Sequence, residues 1–143
     1  MQETVIDEDV ISDGKRKTLY NLGTLDWSIY GCITDKHITD DVVITEEQLL
    51  HIRDKHPDAY PEVIRYLRNT LDDPDYILRD KRPNTGIVIK RVLRDKNNIL
   101  LAVRICTSED KRGYKNSVIT SWKIAEKRLE NYLRNKEVIY KKE

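Results

Sequence analysis

Two of the chain's three histidines, His51 and His56, lie five residues apart in the run His51-Ile52-Arg53-Asp54-Lys55-His56-Pro57. An imidazole titrates nearest to neutral pH, so such a pair suits proton transfer. Further along stand Lys90 and Arg104, then Thr120 and Tyr140. Imidazoles for protons, cations for developing phosphoryl charge and hydroxyls as further donors suit cleavage of a phosphodiester without a metal. The same residues would also furnish a solvated basic surface, so their placement decides between the two.

Each residue has a plain structural reading as well. His56, before Pro57, can cap a helix C-terminus, where the dipole favours a cation. His51 lies about 140° round an ideal helix from His56, so the two cannot grip one metal as an i, i+4 pair does. No metal or cofactor is therefore expected. If His56 lies beyond the helix, both rings can still turn into one cleft. His37, in Asp35-Lys36-His37, reads as a solvated loop residue. A cation among apolar strand neighbours is costly without a partner. Lys90, beside Val88 and Val92, and Arg104, beside Ala102 and Cys106, are each either salt-bridged or aimed at a ligand anion. Alternation sets Val118, Thr120 and Trp122 on one side of a strand. Thr120 then either satisfies a backbone carbonyl or donates to a phosphoryl oxygen. Tyr140 is either a core aromatic with a wet hydroxyl or a donor at the site.

The elements that must carry these groups are legible in part. Thr45-Glu46-Glu47-Gln48 is a capping box opening a helix that Pro57 ends. Pro61 opens a second helix with Val63, Ile64, Leu67 and Leu71 on one face, stopped at Asp72-Asp73-Pro74. The period then falls to two. Tyr76-Ile77-Leu78 is a short strand, Gly86 to Leu93 and Ile99 to Cys106 form a hairpin, and Asn116 to Ser121 is a third long strand. Trp122, Ala125, Leu129, Tyr132 and Leu133 mark a helix, and Val138-Ile139-Tyr140 a last strand. The expected class is α+β: N-terminal helices on one face of a four-stranded antiparallel sheet, with one further helix before the last strand. Residues 40–143 make the domain. Residues 1–39 are a lead-in, flexible over 1–16 and with short strands or an irregular hairpin over 17–33.

Composition excludes several classes. Charged residues are 36% and hydrophobic ones 38% of 143, and the apolar ones cluster with clear periods, so the chain is polar but foldable. The two cysteines make no disulfide framework, and Cys106 sits in an apolar run as a core residue. Neither a signal peptide nor an apolar run of membrane length is visible, which points to a cytoplasmic protein or one delivered by a larger system. The net charge is only +1, yet the first fourteen residues carry acids without bases, while Arg79 to Lys96 is strongly cationic. Such a local patch attracts phosphate, or an acidic protein, without a global field.

Several pieces together carry a family resemblance. They are Thr45 to Ile52 with Lys55-His56-Pro57, Asp73-Pro74-Asp75-Tyr76-Ile77, Pro83-Asn84-Thr85 followed by Lys90, Asn116 to Ser121, and Tyr132 to Lys136 with Ile139-Tyr140-Lys141. In this order and spacing the chain resembles the phage-type nucleases of the barnase–EndoU–colicin–RelE-like superfamily over residues 40–143. The resemblance implies RNA cleavage in a phage-borne or toxin protein. tRNA is a further candidate substrate, and the charge of the Arg79–Lys96 stretch would suit an acidic inhibitor or immunity protein as partner. The resemblance also implies a histidine from the helices (His51 or His56), cations from the strands (Lys90 and Arg104) and late hydroxyls (Thr120 and Tyr140). The rival expectations are a module that binds RNA or an acidic protein without turnover, and a structural part of a phage or mobile element.

Overall fold

A computed structural model describes residues 6–11, 15–92 and 97–143. The elements run β1 (Ile6–Ile11), β2 (Lys15–Thr24), α1 (Trp27–Tyr30), β3 (Asp41–Thr45), α2 (Glu46–Lys55), α3 (Tyr60–Asp72), β4 (Tyr76–Arg79), β5 (Thr85–Val92), β6 (Asn97–Arg104), β7 (Asn116–Ala125), α4 (Glu126–Asn135) and β8 (Val138–Lys141). Among the described residues the strands form one eight-stranded sheet in the order β1-β2-β3-β7-β6-β5-β4-β8.

The expected four-stranded antiparallel sheet is thus corrected in three respects. The sheet has twice the strands; it is mixed, because β3 runs parallel to β7; and helices cover both faces. The parallel pair Val42↔Asn116 and Val43↔Ser117 joins segments separated by two helices and three strands, and no local pattern announces so distant a pairing. Part of the lead-in expected at 1–16 lies outside the described residues, and the rest forms β1 and the start of β2.

Local chemistry accounts for the helices. Gln48 N–H donates to Thr45 Oγ1 at 3.1 Å and Thr45 N–H to Gln48 Oε1 at 3.0 Å, closing the capping box of α2. His56 is the C-cap of α2, and its N–H donates to the Ile52 carbonyl at 2.9 Å. Pro61 stands in the first turn of α3, where its missing N–H costs nothing. The helix expected from Trp122 begins instead at Glu126. Trp122 and Ile124 continue the two-residue period of β7 and pack against the apolar stripe of α4.

Two cores sandwich the sheet. On one face Ile52 of α2, Val63, Leu67 and Leu71 of α3, and Tyr30 and Ile33 of the α1 segment bury Val42, Ile44, Val88, Ile99, Leu101, Val103 and Val118. On the other, Leu129 of α4, with Tyr132 and Leu133, covers Leu78, Ile87, Ile89, Leu100 and Ile124. Burial from both sides explains why β5 and β6 read as nearly unbroken apolar runs.

The join between β3 and β7 is held by Asn116, which is fully buried. Its Oδ1 accepts from the Cys106 N–H and its Nδ2 donates to the Thr39 carbonyl, both at 2.7 Å. Asn116→Ala should leave both backbone groups without a partner and cost about 2–4 kcal/mol in urea unfolding. A change within the usual surface scatter of about 0.5 kcal/mol would mean that Asn116 does not hold this join.

Candidate functional site

Strand register sorts the six candidate residues. Lys90 pairs with Ile99, whose side chain lies in the α2–α3 core, so Lys90 stands on that face. Arg104 follows Val103 of the same core and therefore points to the opposite face. One phosphate cannot lie between Lys90 and Arg104. Tyr140 pairs with Ile77 and packs against the α2–α3 core. His51 and His56 are exposed on α2, whose contacts are to β7, β3 and β2. Five strand spacings, about 24 Å at about 4.8 Å each, separate β3 from the strand that bears Tyr140.

Thr120 is placed by a β-bulge. The β6–β7 register steps from Ala102↔Thr120 to Val103↔Val118, leaving Ile119 as an extra residue in β7. Simple alternation would put Val118 and Thr120 on one side. The bulge sends Val118 into the α2–α3 core and Thr120 to the other face, with Ala102. Ser117, across from Arg104, shares that face, as does Thr85 on β5. The hydroxyl that satisfies a backbone carbonyl here is the buried Ser121, which donates to Leu100 at 2.6 Å. The six residues thus divide into the α2 histidines, Lys90 with Tyr140, and Arg104 with Thr120.

Lys90 is a brace. Its side chain is 16% exposed, and Nζ donates to the carbonyl and to the carboxylate of Asp73, at 2.8 and 2.9 Å. Asp73 is the C-cap of α3, so the cation sits at the negative end of the helix. Lys142 reaches the same carboxylate at 2.9 Å. Hydrogen bonds from Lys142, then Lys90, hold the Asp73 carboxyl below its usual range. At the other end of α3, Lys123 pairs with Glu62 at 3.3 Å. Lys90 and Lys123 flank Ile99 in one row across the sheet, so α3 is pinned at both ends. Tyr140 lies within electrostatic range of Lys142 and of the buried Tyr30. Burial, then Asp72, pushes the Tyr30 phenol well up, and its hydroxyl donates to Leu71 at 2.6 Å.

Arg104 is held by a residue of the loop between β6 and β7. Its Nη2 donates to Asp110 Oδ1 at 2.6 Å, while Asp110 Oδ2 accepts from the Thr107 N–H at 2.8 Å. Asp110 is nearly buried and Arg104 is 39% exposed, so the guanidinium reaches solvent with N–H donors beyond the one given to Asp110. His37 corrects another expectation. It is half-buried, bridges to Thr107, and stacks on Trp27 with centroids 3.7 Å apart and rings 9° from parallel. Trp27 is fixed in turn by a 2.6 Å bond to Asp40. Neither His37 nor Asp110 has a periodic signal. Their roles come from two loops meeting at the end of the sheet.

A family model covers residues 21–141 of the chain, described as phage-Barnase-EndoU-ColicinE5/D-RelE like nuclease2. The chain belongs to this family. No curated protein and no solved structure matches it. As a member of a nuclease family it has nucleic acid as its class of substrate. Among the described residues, no three His, Cys, Asp or Glu side chains gather as metal ligands, and no helix is long and apolar enough to cross a membrane.

The Asp110 carboxyl is held below its usual range, chiefly by the hydrogen bond from Arg104. A depressed folded value gives stability that is full above the unfolded pKa and lost as pH falls through the folded one. Asp110→Asn should therefore shallow the acid limb of the stability curve between about pH 5 and pH 2, followed by urea unfolding. An unchanged acid limb would show that this pair is not coupled to folding.

Proposed function

We propose that this nuclease cleaves RNA without a metal, with the scissile phosphate on the sheet face that bears Arg104 and Thr120. One observation carries the reading: of the six candidates, these two share a partly exposed face in the middle of the sheet. The 2′-hydroxyl attacks its own phosphate as it loses its proton, the bond from phosphorus to the 5′-oxygen breaks, a cyclic phosphate forms, and the 5′-oxygen takes a proton from solvent water. Arg104 meets the charge gathering on the phosphoryl oxygens, the contribution that usually weighs most, and Thr120 donates a further hydrogen bond. Asp110 is kept anionic by Arg104, so it holds the guanidinium in place and takes no proton.

No imidazole stands on this face, since the His37 ring stacks on Trp27, which packs against the α2–α3 core, so the 2′-hydroxyl proton passes to solvent water. The α2 histidines and Tyr140 lie on the other face and take no direct part. In a phage or toxin setting the enzyme would act on the RNA of the cell it enters, tRNA included. An acidic inhibitor would suit its cationic surface.

The test is incubation with total RNA and with tRNA in EDTA. Cleavage should persist and leave cyclic phosphate ends. Arg104→Ala should lose about 10²–10³-fold in rate, while His37→Gln, His51→Ala, His56→Ala and Tyr140→Phe stay near wild type. Loss in His51→Ala with full activity in Arg104→Ala would move the site to α2. Binding of RNA without turnover would replace the enzyme by a binding module.

A further inference from the structure

We propose that the outer side of α4 seats one nucleotide of single-stranded nucleic acid, with its base on the ring of Tyr132. This rests on the nuclease reading above and adds to it where the substrate is held away from the reacting phosphate.

Arg128, Tyr132 and Lys136 follow one another at intervals of four, so they form a single stripe. The Arg128 Cζ lies 6.0 Å and the Lys136 Nζ 5.7 Å from the centre of the Tyr132 ring. Asn131 and Asn135 run beside them one residue earlier. These five residues line a cleft of about 290 Å³. Tyr132 also packs against the core beneath α4, which holds the ring at low entropic cost.

The chemistry is that of a nucleotide seat. A ring offers a face to any base once the flexible heads of Arg128 and Lys136 swing from it to the flanking phosphates, and Asn135, with the Asn131 amide N–H (its Oδ1 already accepts from Arg134), can meet a base edge. Of the neighbouring acids, Glu126 pairs with Arg91, Glu137 with Arg79 and Asp80 with Arg82, while Glu130 stands exposed on α4. Arg128 and Lys136 together outweigh that one acid, so the cleft is positive by one charge. A base can stack there only when it is free of a duplex, which makes the ligand single-stranded. Because α4 packs on the face that carries Arg104 and Thr120, a strand seated on Tyr132 lies on the side of the sheet where cleavage is proposed.

The probe is a short fluorescent 2′-O-methyl RNA, in which the attacking hydroxyl is blocked, followed by anisotropy across a salt series. Tyr132→Leu keeps the apolar packing and should weaken binding about 5- to 100-fold. Arg128→Gln with Lys136→Gln should lower the slope of log affinity against log salt by roughly 1.4, and this pair keeps the test open if Tyr132→Leu fails to fold. A DNA strand of the same sequence should bind similarly, because stacking ignores the 2′ position. Unchanged affinity in folded Tyr132→Leu and in the double variant, tighter binding of the duplex, or no binding by the wild type would overturn the seat. Cleavage lost in Arg104→Ala beside binding indifferent to Tyr132 would overturn the seat alone and leave the nuclease reading standing.

Discussion

One extra residue in β7 decides which side chains of this molecule can meet. A strand turns successive side chains to opposite faces, and this sheet is buried on both, so a shift of one residue moves a group from one chemical world to another. Ile119 is that shift. Before it, Val118 fills the α2–α3 core. After it, Thr120 joins Arg104 on the face that α4 covers in part. Bulges are common where a sheet must re-aim a functional side chain. In this one the strand keeps an apolar residue inward on one side and offers a hydroxyl on the other.

The same rule separates the cations. Lys90 and Arg104 stand on neighbouring strands, which makes them look like partners. The β5–β6 register puts Lys90 opposite Ile99 and Arg104 opposite Thr85, and so assigns them to different faces. Each then answers the cost of a half-buried charge with a carboxylate of its own, Asp73 or Asp110. The two pairs differ in kind. Lys90 also donates to the backbone at the end of α3 and is nearly buried, so its place is explained by holding that helix. Arg104 is more open, and its guanidinium has donors to spare.

What could be read in the sequence follows the range of the forces involved. The capping box of α2, the proline that opens α3 and the β5–β6 hairpin rest on contacts between segments near in sequence, and they stand close to where they were expected. The parallel β3–β7 contact and the placing of α4 on its own face rest on long-range packing, and no local pattern encodes either. Among the site residues, types were legible and faces were not. Lys90 and Arg104 read as cations in need of a partner, while Asp73 stands out only as part of the stop of α3 and of a family motif, and Asp110 lies in a loop with nothing to mark it. His37 looked solvated because its stacking partner Trp27 lies ten residues away in an irregular segment.

These constraints together say where a substrate can reach the sheet. The α2–α3 face has Ile99, Leu101, Val103, Val88 and Val118 at its centre, all buried, and its lysines stand at the ends of α3, already paired. Its centre is closed by those helices. The other face is closed by α4 over Leu78, Ile87, Leu100 and Ile124, and carries Thr120, Ser117 and Arg104 beyond that cover. The helix that shuts part of this face carries the cationic, tyrosine-centred cleft on its outer side. Cover and cleft belong to one element, so packing α4 on the sheet also sets the distance between the cleft and Arg104. A nuclease that holds its strand by a stacked base and a gripped phosphate needs that distance fixed, and a rigid helix on a rigid sheet fixes it better than a loop would.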